Sequence, residues 1–248
     1  MTHHEHNHGD HEHNHSHGGH DHVTADQERQ RFDEAAVTWD DPTKIAFADG
    51  VAAAVLEGVP VDADWVAMDF GAGTGLLGLR LADHVAEVDL VDTSAGMAAV
   101  ARERVAARTA AGHPGVQVVE VDLTTGTAPR QHYDLVAASL SLHHVPDLDG
   151  ILATFAQLLA PSGWIAIAEL AADPQGHFHA GIENFSGHHG FDPADLERRL
   201  NALGFSELSH RPCGTVRRER DGHSQDFAVI LVTGRMNGRG PAASCTDR

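Results

Sequence analysis

Val66-Ala67-Met68-Asp69-Phe70-Gly71-Ala72-Gly73-Thr74-Gly75 carries the architecture of this chain. An apolar strand runs into a turn holding three glycines, and a helix-patterned run (76–84) follows. A second apolar strand then closes on Val88-Asp89-Leu90-Val91-Asp92. Glycine lets the backbone turn with positive φ and come close to a ligand. The helix start behind it presents N–H groups that lack a partner within the helix. Asp92, at the carboxyl end of the next strand, is positioned to accept hydrogen bonds from a ribose diol. That succession reads as the nucleotide-binding end of an α/β sheet.

Outward from this stretch, strand and helix patterns alternate. Strands are expected at 65–70, 87–91, 116–121, 133–139 and 164–169, and helices at 76–84, 94–111 and 148–160. Short buried strands joined by crossover helices imply a parallel sheet covered on both faces. Ligands then sit beyond the carboxyl ends of the strands, where Asp69, Asp92, Asp122 and Ser139 all fall. Ahead of the sheet, two helical patterns flank Pro42, the first carrying Phe32, Ala35, Ala36 and Trp39, the second Ile45, Phe47, Val51, Val55 and Leu56. After it, a helix at 196–203 and strand-like runs at 207–211 and 226–233 suggest a closing antiparallel hairpin. The expected fold is therefore α/β and Rossmann-like, a seven-stranded mostly parallel sheet with helices on both faces.

The glycine spacing decides which nucleotide. A dinucleotide fingerprint needs its third small residue at position 76, which is Leu76, whereas the third glycine here is Gly75. The pattern Asp69-Phe70-Gly71-Ala72-Gly73-Thr74-Gly75 resembles the first motif of class I S-adenosylmethionine-dependent methyltransferases. Later stretches resemble that family's motifs in the same order: Val91-Asp92-Thr93-Ser94-Ala95-Gly96-Met97, then Val119-Glu120-Val121-Asp122-Leu123. Tyr133 through Asp147, which includes Ser139, and Leu158 through Glu169 complete the series. The likeness runs from about Phe32 to Arg235 and is of the small-molecule, ubiquinone/menaquinone-biosynthesis type. It implies S-adenosylmethionine as cofactor, held by Asp69, Gly71, Gly73, Gly75, Asp92, Thr93, Met97, Asp122, Leu123 and Ser139. Within that set Asp92 would hold the ribose hydroxyls, Met97 would pack near the adenine, and Asp122 would lie by its amino group. The pairs Phe32-Asp33 and Trp39-Asp40 resemble the family's entry segment, where an aromatic covers the cofactor.

Composition narrows the partners. The 248 residues hold 17 basic and 36 acidic side chains, a formal charge of −19, which disfavours nucleic acid. No apolar run approaches the ~20 residues needed to span a bilayer, and the N-terminus lacks the apolar core of a signal peptide. A cytoplasmic protein, monomer or homodimer, is the expectation, in which 23–235 form the methyltransferase domain and 236–248 a flexible tail. Residues 1–22 are low-complexity and expected to be disordered. Their histidines (His3, His4, His6, His8, His11, His13, His15, His17, His20 and His22) form a candidate site for Zn²⁺, Ni²⁺, Co²⁺ or Cu²⁺. A metal-handling protein with a cofactor-binding regulatory domain is accordingly the alternative function, and an NAD-dependent oxidoreductase a third.

Methyl transfer to a weakly acidic hydroxyl requires a base. Candidates are His143, His144 and His189, with His188 beside the last, because a histidine near neutrality suits proton abstraction. His177, His179, Glu183, His188 and His189, flanked by Asp173 and Asp192, also form a cluster capable of holding a metal or of lining a small-molecule pocket. The acceptor is expected to be a small organic molecule; clustered thiolates for metalloid chemistry are lacking, with Cys213 alone in the body of the chain.

Overall fold

The computed structural model describes residues 25–182 and 185–238. Helix α1 (Ala25–Ala35) ends in a 3-10 turn (Ala36–Thr38), and α2 (Pro42–Gly58) follows. Pro42 begins that second helix, where its missing N–H costs nothing, and Asp41 caps it by accepting from the Thr43 and Lys44 N–H groups. Next come β1 (Val66–Phe70), α3 (Leu76–Leu81), β2 (Glu87–Asp92), α4 (Ala95–Ala110) and β3 (Val116–Glu120). The chain then crosses to β4 (Tyr133–Ser139), α5 (Leu148–Leu158) and β5 (Leu159–Leu170), and ends with α6 (Pro193–Ala202), β6 (Phe205–Arg220) and β7 (His223–Met236).

The seven strands lie in the order β3-β2-β1-β4-β5-β7-β6. The first five are parallel, and β7 inserts antiparallel between β5 and β6. The chain order therefore reverses between β1 and β4, and a crevice opens beyond the strand ends at that point. Alternate residues of each strand feed two cores. Met68, Val136, Ile165 and Ile167 pack with α5 and α6 on one face, while Ala67, Leu90, Leu135 and Ala166 pack with α2 and α3 on the other. This is the expected Rossmann-like sheet.

Two details depart from the sequence expectation. Ile45 faces solvent; the buried stripe of α2 is Ala48, Val51, Ala52 and Val55. The hairpin is also far longer than the two short runs anticipated. Its outer half is polar on both faces, so it lacks the alternation that marks a half-buried strand. Cross-strand pairing holds it instead, as where Arg217 opposes Asp226 with hydrogen bonds of 2.7 and 3.0 Å.

The junction of β1 with α3 is the tightest part of the fold. Asp69 is fully buried and accepts the Gly78 N–H at 2.7 Å, tying the strand end to the helix. The close approach this demands is met at Gly78, where a methyl group would collide with Leu90 and come within 2.9 Å of the Asp69 carboxylate. So the small residue that seats the helix stands two places beyond Leu76. Gly78→Ala should destabilise the protein by about 1–3 kcal/mol through overpacking, read as a lower urea midpoint with an unchanged slope.

Candidate active site

Four strand ends converge on the crevice. Gly71, Gly73 and Gly75 all take positive φ. At Gly71 any side chain would also strike Ser141, whose hydroxyl donates to the Phe70 carbonyl at 3.0 Å and pins the β4 loop to the β1 turn. Gly73 instead faces open space, with only the Met97 sulfur within 4 Å of where a Cβ would stand. The Asp92 carboxylate accepts the Gly73 N–H at 2.7 Å on one oxygen and the Ser94 N–H at 2.8 Å on the other. Each oxygen keeps a second lone pair, enough for a pair of hydroxyl donors. Burial holds its pKa above the usual carboxylate value against the pull of those N–H groups.

Asp122, Leu123 and Ser139 occupy the neighbouring strand ends. The Asp122 carboxylate closes its own turn on Thr124, taking the backbone N–H at 2.8 Å and the hydroxyl at 2.6 Å, and Leu123 is buried beside it. Met97 is buried under the loop, and Thr93 is exposed at the rim. Asp69 differs from the rest: its carboxylate faces α3 beneath the turn. Any part it plays at the crevice runs through the position of that turn.

Two acids from the N-terminal helices clasp the same loops, and the motif reading did not assign them a role. Asp33 on α1 accepts the Ser94 hydroxyl at 2.6 Å and the Gly96 N–H at 2.8 Å. Asp40 accepts the Thr74 hydroxyl at 2.8 Å and pairs with Arg104. Phe32 and Trp39, each preceding one of these acids, meet edge to face at 5.6 Å. The Phe-Asp and Trp-Asp pairs were the available signal.

Beyond β4, the chain forms a 3-10 turn (Leu142–His144) that delivers two histidines into different surroundings. His143 is buried, with Nδ1 2.8 Å from Glu169 Oε2. Glu169, at the end of β5, also accepts the Leu142 N–H at 2.7 Å and the Leu170 N–H at 3.1 Å. Burial alone would raise its pKa, but the charge and hydrogen bond of His143 and the Leu170 N–H bring it below the usual value. His144 is half-buried, its Nδ1 3.1 Å from Glu28 Oε1 on α1 and its ring edge-on to Phe32 at 5.2 Å. Burial lowers its pKa in spite of Glu28, so it is neutral at pH 7.

The other sequence candidates divide: His179 stays with the two histidines of the turn, its ring 5.2 Å from that of His143 and 6.2 Å from that of His144, and, among the described residues, the rest lie outside the cavity described next. His179 is buried and stacked on Phe185 at 3.8 Å; burial, then the neighbouring imidazoles, push its pKa down to about 3. His189 is exposed, its Nδ1 3.4 Å from His179 Nδ1, and lies under Gly176 rather than in the cavity described next. His188 is spent on the Val145 carbonyl at 3.0 Å, His177 is exposed, and Asp192 caps α6. Glu183 lies outside the described residues, as do His3 through His22 and hence the whole proposed N-terminal metal segment. Among the described residues no group of three His, Cys, Asp or Glu is arranged to hold a metal ion, and no helix is long and apolar enough to cross a membrane.

A cavity of about 380 Å³ adjoins His144, roofed by α1. Phe32, Ala35, Trp39, Phe178 and Ile182 supply the apolar part of its wall, and His144, His179, Arg31, Glu34 and Arg218 the polar part. The arrangement is a nucleotide-type crevice next to a small chamber of mixed apolar and polar lining, to which His144 contributes its imidazole.

A family model described as a methyltransferase domain matches residues 68–165. An uncharacterized methyltransferase of Geobacillus kaustophilus is 28% identical over 176 residues, 70% of this chain and 78% of its own length. The ubiquinone biosynthesis O-methyltransferase of Rhodopseudomonas palustris is 31% identical over 148 residues, covering 55% of this chain and 56% of its own. Among solved structures, the N-methyltransferase NodS from Bradyrhizobium japonicum, in complex with S-adenosyl-L-homocysteine, superposes with a TM-score of 0.61. It shares 14% identity and covers 85% of this chain and 97% of its own, a likeness of fold. The family model spans less than half of the chain and the solved structure shares its fold, so these matches, with the motif order along the sheet, establish a methyltransferase-like fold with a central stretch similar to methyltransferase domains. They give no support to a metal-handling role.

Buried Asp69 gives a pH test of the β1–α3 junction. Desolvation, reinforced by the Asp92 charge, raises its pKa from 3.8 to about 7. The folded state thus holds a proton that the unfolded state releases near pH 4, and stability falls as pH rises from about 4 to 7. Asp69→Asn keeps an acceptor for Gly78 and removes the charge. Its stability should match or trail the wild type at pH 4 and exceed it by a few kcal/mol at pH 8, measured by urea unfolding.

Proposed function

We propose that this enzyme transfers a methyl group from S-adenosylmethionine to a small organic molecule seated in the chamber beside His144, and that His144 is the base. One observation carries the reading. The imidazole that lines the chamber is braced from behind by a carboxylate, Glu28, at 3.1 Å from Nδ1, and its burial favours the neutral form.

The residues at the crevice suit the cofactor. Asp92 has two lone pairs to offer the ribose hydroxyls, and the open face of Gly73 admits the amino-acid arm against the loop. Met97 packs beneath, and Asp122, Leu123 and Ser139 border the adenine side. Bound there, S-adenosylmethionine supplies an electrophilic methyl carbon on a sulfonium. The protein's part is to hold the acceptor in line, exclude water and take up a proton. Glu28 accepts from His144 Nδ1–H, which fixes the tautomer and leaves Nε2 to receive the acceptor's proton. Asp33 and Asp40 fasten α1 and the segment after it over both compartments, so that cofactor loops and chamber roof move together. His143, bonded to Glu169, positions the turn that carries His144, while His189 stands in the second layer behind His179.

The acidic balance of the chain supports a small acceptor over nucleic acid. We further propose a cytoplasmic location and a monomer or homodimer. The ubiquinone-pathway relative shares only part of its length with this chain, so the acceptor class is drawn from the chamber itself.

Asp92→Ala should weaken S-adenosylmethionine binding by about 1–3 kcal/mol, measured by calorimetry, since a ribose diol loses its acceptors. His144→Ala should lower kcat by two orders of magnitude or more at nearly unchanged cofactor affinity. An equal loss of both would make His144 architectural. Because its pKa is depressed, the acid limb of kcat should fall below the ordinary histidine value of 6.5. A limb at or above that value contradicts the assignment.

A further inference from the structure

The rim of the chamber carries a charge pattern that methyl transfer does not require. Arg31, on α1, and Arg218, on the hairpin strand β6, face the same cavity from elements far apart in sequence. Among the described residues the arginines without an ion pair are Arg31, Arg218 and Arg220, and Arg220 reaches from the hairpin tip to Gly181, beside the chamber but outside its lining. In a chain of formal charge −19, two guanidiniums beside one cavity with no ion-pair partner among the described residues are a conspicuous placement. The carboxylate nearest in the lining, Glu34, accepts the Gln30 amide at 2.9 Å and pairs with neither arginine.

Their surroundings are built to receive an anion. The Arg218 guanidinium lies over the Phe178 ring at 4.2 Å, which fixes its plane and leaves its N–H edge for a ligand. Phe178 is itself buried against Phe227, ring to ring at 5.2 Å, so the platform is rigid. Burial and the neighbouring charge of Arg31 both disfavour the Arg218 cation, a cost that a bound anion would offset. Deeper in, buried His179 has an Nε2 with no hydrogen-bond partner, a polar atom left unsatisfied in the chamber wall. Between rim and floor run the rings of Phe32, Trp39 and Phe178, apolar and aromatic.

We infer that the methyl acceptor is an oxyanion, a carboxylate or phosphate monoester on a planar aromatic or conjugated body, whose anionic group is clamped by Arg31 and Arg218 while its nucleophile points to His144. The assignment rests on the proposed methyl-transfer reading and adds the acceptor's charge and shape. Guanidinium forks match both oxyanions, and the chamber volume of about 380 Å³ limits the acceptor to a small molecule.

The test is calorimetric titration of the full chain, saturated with S-adenosylhomocysteine, with benzoate, phenyl phosphate and benzamide. The two anions should bind at least tenfold more tightly than the neutral amide, which is isosteric with benzoate, and the tighter of the two names the oxyanion. In Arg31→Gln/Arg218→Gln that preference should vanish with S-adenosylhomocysteine affinity unchanged, while Arg218→Lys should retain part of it. Equal binding of benzamide, an anion preference that survives the double substitution, or no binding of any probe would each overturn the assignment. Failure of S-adenosylhomocysteine itself to bind wild type is a separate outcome, which would contradict the methyl-donor crevice.

Discussion

A single buried carboxylate organises the glycine-turn end of this sheet. Asp69 ends β1, is shut away from solvent, and holds the first turn of α3 by the Gly78 N–H. The pairing works only because Gly78 has no side chain, so helix and strand approach until the glycine turn between them is forced upward. Gly71 then meets Ser141 across the sheet reversal, and the β1 and β4 loops become one wall. Everything placed on that wall, from Asp92 to the two histidines after β4, inherits its position from this contact.

A second set of acids converts the wall into an enclosed site. Asp33 and Asp40 lie just outside the sheet yet bond to its loops at Ser94, Gly96 and Thr74. Buried or half-buried hydrogen bonds to charged groups contribute more than surface ion pairs, which are screened. Through them α1 becomes a roof shared by crevice and chamber, and it brings Glu28 to His144. The same helix therefore fixes the cofactor loops, braces the imidazole and presents Arg31.

Much of this was legible in the sequence, and the limits are physical. The sheet was readable because parallel strands buried on both faces appear as short apolar runs between amphipathic helices. The glycine turn was readable because positive φ leaves few residue choices. The outer hairpin escaped because strands solvated on both faces show no alternation, as at 215–220. Gly78 escaped because its demand comes from Leu90 and Asp69, residues distant along the chain. Glu28, Glu169, Arg31 and Arg218 escaped for the same reason: each acquires meaning from a partner or cavity that only the tertiary fold supplies. The histidines between 177 and 189 were legible only as alternatives, a metal site or a pocket lining. Among the described residues no three such groups are arranged for a metal, whereas His179 lines the chamber with its ring 5.2 Å from that of His143 and 5.4 Å from that of His189, and His188 turns to a carbonyl.

The account stands on how the crevice grips its nucleoside. Diffraction from crystals grown with S-adenosylhomocysteine should place the ribose hydroxyls within hydrogen-bond distance of both Asp92 oxygens, with the thioether sulfur turned toward the chamber beneath α1. Density for the nucleoside elsewhere, or preferential occupation of the crevice by a nicotinamide dinucleotide, would contradict it.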